Sequence, residues 1–173
     1  TIAVIGSTGS GKSTLINLIP RYYDVTKGSV KVDGVDVRDM TQKELRDKLG
    51  YVPQKGVLFS GTIDSNIRYG KPEITDAQVK EAAEVAQATE FIDTKPEKYE
   101  SPVSQGGTNV SGGQKQRLSI ARAIAKDPEI FIFDDSFSAL DFKTDSQLRK
   151  ALKEYTKDAT TVIVAQRIST ILG

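Results

Sequence analysis

Cysteine and histidine are both absent from this chain of 173 residues. Without cysteine there can be no disulfide, no thiolate nucleophile and no cysteine metal site. Without histidine there can be no Ser-His-Asp triad, no imidazole metal ligand and no histidine pH switch. Any chemistry that the chain performs must therefore use carboxylates, amides, lysines, hydroxyls and backbone groups.

A charge excess and a long apolar run are missing as well. Lys and Arg number 24 and Asp and Glu number 23, so the formal net charge is only +1. This balance gives no electrostatic reason to expect a nucleic-acid partner or binding to a membrane surface. No apolar run approaches the roughly 20 residues of a membrane-spanning helix. With 38% apolar and 27% charged residues, the composition is that of an ordinary globular domain.

Short apolar runs alternate with helical patterns along the sequence. Strands are predicted at 1–5, 51–53, 130–133 and 161–165, a hairpin at 30–34, and helices at 12–19, 41–49, 75–88, 112–126 and 143–157. The first strand reads as buried, and the run 130–133 is apolar at every position, as in a strand covered on both faces. This order predicts a parallel α/β core that is interrupted by a helical insertion.

The ends of the sequence bear on its extent. The chain begins with Thr1 rather than Met, and it stops at Gly173 just after a predicted strand. We therefore expect a single domain over 1–173 that is a fragment of a longer protein. Its length is enough for one core of its own.

A glycine-rich loop follows the first strand and opens the first helix. It matches the phosphate-binding pattern G-x-x-x-x-G-K-[ST], with these residues: Gly6, Ser7, Thr8, Gly9, Ser10, Gly11, Lys12, Ser13 and Thr14. Glycines let backbone N–H groups close around phosphate oxygens, and the helix N-terminus adds the positive end of its dipole. Lys12 supplies a charge for the β- and γ-phosphates, and the Ser13 hydroxyl can ligate Mg²⁺. The alternative is a flexible turn with a surface lysine, which the flanking strand and helix disfavour.

Two carboxylates follow the apolar run 130–133. A phosphate-loop protein needs an acidic residue at the end of a neighbouring strand to hold Mg²⁺, and Asp134 fits this position. Asp135 would face the attacking water as the candidate general base. A solvated acidic turn is the alternative, and it explains one aspartate more readily than a pair.

A third motif completes an ordered set. Val110-Ser111-Gly112-Gly113-Gln114 precedes a helix rich in basic residues and lies between the phosphate loop and Asp134. By itself this motif could be a helix N-cap with flexible glycines. Together with the phosphate loop, the acidic strand end, Gln54 and Ser138-Ala-Leu-Asp141, it resembles the ATP-binding cassette (ABC) family over essentially the whole chain. Val110 stands where the family usually has Leu.

The resemblance implies a fold and a nucleotide. The fold is a P-loop NTPase with a RecA-like core formed by 1–56 and 124–173, and a helical subdomain at 57–123 that carries the signature motif. The cofactors are ATP and Mg²⁺, with Ser13, Gln54 and Asp134 around the metal. The catalytic candidates are Lys12, Gln54, Asp135 and Gln166.

The resemblance also implies partners. Two cassettes stack head to tail, so Ser111, Gly112, Gly113 and Gln114 would contact ATP that is bound to the opposite cassette. The segments 58–63 and 66–70 resemble exporter cassettes, and Val103-Ser-Gln-Gly-Gly107 lies where exporters have the X-loop. Gln54 and this X-loop would contact a transmembrane domain. The cassette would work at the cytoplasmic face of the cell membrane and be soluble as a fragment.

Two positions depart from the family pattern. Asp135 stands where Glu is usual, which withdraws the carboxylate by about 1.5 Å, and Gln166 stands where a histidine is usual. Both positions belong to the ATP site that this chain builds with Lys12. We therefore predict the slow, degenerate site of a heterodimeric exporter, whose partner is a different chain with Glu and His at these positions.

Other readings remain open. The chain could be a regulatory module that binds ATP but scarcely hydrolyses it, or a non-transport ABC ATPase. The aromatic residue that stacks on adenine in this family would precede Thr1.

Overall fold

The computed structural model describes residues 1–166 and shows an α/β fold. Its strands are β1 (Ile2–Ile5), β2 (Lys31–Val32), β3 (Val35–Asp36), β4 (Leu49–Val52), β5 (Gly61–Thr62), β6 (Pro102–Val103), β7 (Ile130–Asp134) and β8 (Thr160–Ala165). Its helices are α1 (Lys12–Ile16), α2 (Gln42–Asp47), α3 (Ile63–Ile67), α4 (Asp76–Val85), α5 (Thr89–Asp93), α6 (Gly112–Ala125) and α7 (Phe142–Tyr155). Short 3₁₀ turns lie at Val37–Asp39, Lys98–Glu100 and Gln105–Gly107.

The main sheet has the strand order β1-β8-β7-β4, and every pairing in it is parallel. The prediction of a parallel α/β core is therefore confirmed. Strand β7 shows why its sequence is apolar throughout. Phe131 and Phe133 pack into the cluster shared with α4, α6 and α7. Ile132 instead packs on the opposite face with Ile16 of α1, so both faces of the strand are covered.

The prediction of a buried first strand is wrong. Strand β1 forms, but Ile2 is 60% exposed and Ile5 is 50% exposed. The physical reason is its position: among the described residues β1 pairs with β8 alone and lies at the edge of the sheet. An apolar run indicates that a strand is suited to burial, but it does not indicate how many strands and helices pack against it.

All five predicted helices end one to three residues earlier than expected, and α1 and α2 show the physical reason. Helix α1 stops at Ile16 instead of residue 19. The N–H groups of Leu18 and Ile19 donate to the carbonyls three residues earlier, those of Leu15 and Ile16, as in a 3₁₀ turn. Pro20 disfavours a continued α-helix because the residue before proline avoids that conformation. Helix α2 stops at Asp47, because Leu49 already belongs to β4.

The local signals for caps and turns are confirmed. Thr41 opens α2 and Thr75 opens α4, each through a full capping box. Strands β2 and β3 form the predicted antiparallel hairpin. Its turn residues Asp33 and Gly34 have φ values of 51° and 80°, as a tight Asp-Gly turn requires.

The segment 57–123 is largely helical, and it also contains an unpredicted two-stranded sheet of β5 and β6. The buried amide of Asn66 holds its loop: Oδ1 accepts bonds from Phe59 N (2.8 Å) and Arg122 (3.0 Å). Its Nδ2 donates to the carbonyls of Phe59 and Thr62, each at 2.9 Å. One hydrophobic cluster runs from this segment into the sheet, so the division into core and helical subdomain stays a prediction.

None of the helices formed by residues 1–166 combines the length and the apolarity that crossing a bilayer demands.

We expect Asn66→Ala to lower the free energy of unfolding by about 2–4 kcal/mol, because it leaves several partly buried polar groups without a partner. Urea denaturation of the chain measures this change. Gln147→Ala, an exposed position on α7, is the control and should stay within about 0.5 kcal/mol of the wild type. A loss below 1 kcal/mol for Asn66→Ala would show that water replaces these bonds.

Candidate functional site

The carboxyl ends of the four parallel strands meet at one edge of the sheet. A cleft of about 280 Å³ opens there, and each strand end contributes to it. The lining residues are Thr8, Gly9, Gly11, Lys12, Ser13, Thr14, Gln54, Asp134, Asp135, Val164 and Gln166. The edge reached by the carboxyl ends of parallel strands is where ligands bind in open α/β sheets. The structure thus brings together residues from motifs that lie far apart in the sequence.

The glycine-rich loop has the conformation that a phosphate cradle needs. Gly11 is the N-cap of α1 with φ 91°, and Gly9 has φ 80°, both in the left-handed region that favours glycine. At Gly6 an added Cβ would lie 2.6 Å from Ser10 Oγ, so a side chain there would require the Ser10 hydroxyl to move. These positions leave the backbone N–H groups able to face an anion.

The ammonium of Lys12 lies inside the loop. Its Nζ donates to the carbonyls of Gly6 and Ser7, each at 2.7 Å, and approaches Ser10 Oγ at 3.4 Å. These contacts place a positive charge in the centre of the cradle. Three predicted loop residues do not line the cleft: Gly6, Ser7 and Ser10. Each of them contacts Lys12, which does line it.

A hydroxyl and a carboxylate meet at the start of α1. Ser13 Oγ donates to Asp134 Oδ1 at 3.1 Å, and Asp134 is buried at the end of β7. Hard oxygen donors of this kind suit Mg²⁺, which usually takes one or two carboxylates and completes its shell with water and phosphate. In the described part of the chain no group of three or more acidic residues could hold a metal. The donor set therefore fits a magnesium ion that is shared with a phosphate ligand.

Tyr51 of β4 extends this group. Its hydroxyl lies 3.0 Å from Asn17 Oδ1 and 3.3 Å from Asp134 Oδ2. Burial, and to a smaller extent the charge of Asp134, raise the pKa of Tyr51 above its ordinary value, so the side chain is a neutral hydroxyl donor. Tyr51 belongs to no sequence motif, and a tyrosine in a strand is common, so the sequence predicts only a strand residue at this position.

Asp135 follows directly after β7 and turns the chain. Its φ is 49°, and its N–H donates to the carbonyl of Val164 at 2.9 Å. The side-chain oxygen Oδ2 accepts a bond from Gln54 Nε2 at 3.2 Å. The predicted general base Asp135 and Gln54, which is predicted to lie near the metal, are thus in direct contact.

Gln166 follows β8 and reaches across to the glycine-rich loop. The hydroxyl of Thr8 donates to Gln166 Oε1 at 3.4 Å. This long bond joins the two ends of neighbouring strands β1 and β8. The next residue, Arg167, lies outside the described residues.

The signature residues begin α6 outside this cleft. Ser111 Oγ accepts from Gln114 N at 3.1 Å, and Gln114 Oε1 accepts from Ser111 N at 3.3 Å, which makes a capping box. In the described part of the chain, the cleft is not lined by the signature residues Ser111, Gly112, Gly113 and Gln114. A Cβ on Gly113 would lie 3.4 Å from the carbonyl of Ala139, so the signature borders the segment 138–141.

The exporter-like segment 58–63 and the predicted X-loop at 103–107 come together. Strand β5 pairs with β6, with Gly61 opposite Val103. A Cβ on Gly107 would lie 3.1 Å from Leu58 Cδ1, which places the loop after β6 against the segment 58–63. Segments that are 40 residues apart in sequence therefore form one surface.

Comparison with known proteins gives the family. A family model described as ABC transporter matches residues 1–138. The chain belongs to the ABC transporter family. The fold of this ABC cassette agrees with that of a solved structure, a bacterial Atm1-family ABC exporter with ATP bound. The TM-score is 0.94 at 40% identity, and the match covers 98% of this chain and 30% of that one.

Curated relatives point the same way. Proteins of Staphylococcus aureus strains NCTC 8325 and Mu50 that carry the name "Putative multidrug export ATP-binding/permease protein" are each 49% identical over 171 residues. The match covers 99% of this ABC cassette but 30% of each relative. The chain therefore spans less than a third of the length of these relatives.

The ABC cassette offers two glycines for a matched test of backbone strain. We expect Gly11→Ala to lower the free energy of unfolding by about 1–2 kcal/mol, because alanine is strained at φ 91°. Gly112→Ala is the control: its Cβ would meet no atom within 4 Å, and its φ is not in the left-handed region. It should be neutral or slightly stabilising. Urea denaturation of both variants measures the two changes. An equal loss of unfolding free energy in the two variants would contradict the assigned loop conformation.

Proposed function

We propose that this cassette binds Mg-ATP in the cleft at the sheet edge and hydrolyses it to drive export through a membrane domain. One observation carries the proposal: the phosphate loop, Gln54, Asp134, Asp135 and Gln166 converge at the carboxyl ends of four parallel strands. Nearly the whole of this chain matches exporter proteins, and this similarity supports the transport role.

Each residue has a role that its chemistry allows. The loop N–H groups and Lys12 would hold the phosphates, and Ser13 with Asp134 would hold Mg²⁺. When bound, Mg²⁺ would neutralise charge that develops on the phosphate oxygens. Asp135, hydrogen-bonded to Gln54, would accept a proton from the attacking water. Gln166 would orient the γ-phosphate through its side-chain amide.

A second cassette would complete the site. The residues Ser111 to Gln114 lie at a helix N-terminus outside their own chain's cleft. A helix N-terminus with small residues suits a phosphate group, so this one would clamp ATP that is bound to the opposite cassette. The reciprocal arrangement gives ATP-driven association of the two cassettes.

A membrane domain would receive the signal through the joined surface of 58–63 and 103–107, together with Gln54. The S. aureus relatives are named as ATP-binding/permease proteins, which supports this coupling. Such a cassette would lie at the cytoplasmic face of the membrane.

Lys12→Ala tests nucleotide binding. We expect it to weaken binding of Mg-ATP by tenfold or more, because the cradle loses its central positive charge. Equilibrium binding of a fluorescent ATP analogue to the full-length protein measures this. Lys80→Ala, an exposed lysine on α4, controls for a general loss of charge and should leave the affinity unchanged. Equal affinities for the two variants would refute the proposed site.

We infer further that hydrolysis at this chain's own site is slow. Asp135 and Gln166 occupy two neighbouring strand ends of the same cleft. The shorter carboxylate of Asp135 is set back by about 1.5 Å relative to glutamate, and such a displacement can cost about 100-fold in rate. The competent site would then be formed with a different partner chain that carries Glu and His.

The same two residues favour a second candidate function. A cassette that binds ATP, associates with its partner and hydrolyses almost none of it would act as a regulatory module. Its ATP would stabilise the associated state without being turned over. The two candidates differ in whether the site can be restored to fast hydrolysis.

Asp135→Glu combined with Gln166→His distinguishes them. We expect ATP hydrolysis at this chain's own site, measured in the full-length assembly with the partner's competent site inactivated, to rise by at least tenfold, because both catalytic groups reach the γ-phosphate region again. Each single variant should give a smaller rise, since the two groups act on one event. An unchanged rate, or wild-type turnover that is equal at both sites of the assembly, would remove the slow-site proposal.

A further inference from the structure

The carboxylate of Asp134 is held by hydroxyls on both of its oxygens. Ser13 of α1 donates to Oδ1 at 3.1 Å, and the hydroxyl of Tyr51 lies 3.3 Å from Oδ2. Asp134 is only 8% exposed, so few waters can compete for these positions. The carboxylate plane is therefore defined by two donors that come from different elements.

The position of Tyr51 follows from the strand register. Tyr51 of β4 stands opposite Ile132 of β7. Because side chains on one face of a strand recur every two residues, Ile132 and Asp134 point to the same face of β7. The ring of Tyr51 lies on this face, and Tyr22 packs edge-on against it with ring centroids 5.7 Å apart.

The single hydroxyl proton of Tyr51 has two possible acceptors within hydrogen-bond distance. Asn17 Oδ1 is at 3.0 Å and Asp134 Oδ2 at 3.3 Å. A carboxylate is the stronger acceptor because it carries charge. An amide can also turn its nitrogen towards the phenol oxygen and become a donor to it. The arrangement that uses every group is then Asn17 donating to Tyr51 and Tyr51 donating to Asp134.

We propose that Tyr51 is a positioning residue for the magnesium site, which it serves by fixing Asp134 Oδ2 so that Oδ1 faces Ser13. This inference rests on the proposed Mg-ATP function. Without the hydroxyl, the carboxylate can rotate about its Cβ–Cγ bond and the pair of Oδ1 and Ser13 Oγ loses its fixed geometry. Groups that orient a metal ligand through a hydrogen bond commonly change metal affinity by 10- to 100-fold when they are removed.

Tyr51→Phe tests this role, because it keeps the ring and its contact with Tyr22 and removes the hydroxyl alone. The probe is a fluorescent ATP analogue bound to the full-length protein, titrated with MgCl₂ and compared with binding in EDTA. We expect the Mg²⁺ concentration for half-maximal enhancement of binding to rise by about tenfold. Binding in EDTA should stay within about twofold, since Tyr51 contacts Asp134 and not the phosphate loop.

Two further variants separate positioning from packing. Tyr22→Phe removes the hydroxyl of the neighbouring ring, and it should change neither measurement. In an Asp134→Asn background, Tyr51→Phe should have no further effect on the Mg²⁺ requirement, because the carboxylate that it orients is gone. A thermal melt confirms that each variant is folded.

The outcomes distinguish this inference from the function on which it rests. If the wild-type protein binds the analogue more tightly with Mg²⁺ and Tyr51→Phe leaves the Mg²⁺ requirement unchanged, Tyr51 is a packing residue and the inference is overturned. A proportional loss of binding with and without Mg²⁺ overturns it in the same way. If wild-type binding gains nothing from Mg²⁺, the proposed function fails first, and the inference fails with it.

Discussion

Hydrogen bonds between the parallel strands β1, β8, β7 and β4 hold all four carboxyl ends at one edge of the sheet. The residues of the cleft come from loops that leave these ends, and the strand register sets their relative positions. Asp134 stands opposite Val164 in this register, and Phe133 stands opposite both Ile163 and Val52. A slip of one residue in β7 would turn Asp134 to the opposite face of the sheet. The buried phenylalanines of β7 oppose such a slip, because it would carry them out of the core shared with α4, α6 and α7.

The charges in the cleft suit the proposed divalent cation. Among the described residues that line it, Lys12 is the cation, whereas Asp134 and Asp135 are both carboxylates. A triphosphate adds several more negative charges to a site where two acids already outnumber one base. Repulsion of this kind is large at distances of a few ångström in a partly desolvated cleft. A metal ion held by Asp134 would neutralise part of this repulsion, so that the acidic pair and the phosphate loop could share one ligand.

The parts of the fold with strong local signals could be predicted from sequence. The capping boxes at Thr41 and Thr75, the Asp-Gly hairpin and the all-apolar β7 depend on neighbouring residues, and all four formed as expected. Exposure of β1 depends on which strands lie beside it, and a short apolar run holds no such information. The pairing of β5 with β6 joins segments 40 residues apart, and each strand is only two residues long. Periodicity cannot detect a strand of that length.

The candidate site shows the same division. The glycine loop and the acidic pair are recognisable because their spacing is fixed by phosphate and metal chemistry. The contact between Tyr51 and Asp134 is not, because it arises where β4 and β7 pair and leaves no pattern along either strand. The same holds for the bond between Thr8 and Gln166, which joins residues 158 positions apart. Contacts of this kind become visible only when the sheet is assembled.

Because the backbone at Asp135 is held in place, the length of its side chain determines how far its carboxylate reaches into the cleft. Its N–H is bonded to Val164 and its φ lies in the left-handed region, while its carbonyl accepts a bond from Ser138 Oγ at 3.2 Å. The main chain is thus held on both sides of the Cα atom, and it cannot move forward to compensate for a short side chain. Any shortfall in the reach of the carboxylate must be met by the side chain itself. For this reason the proposed slow hydrolysis would follow from one missing methylene group at this position, without a change in the fold around it.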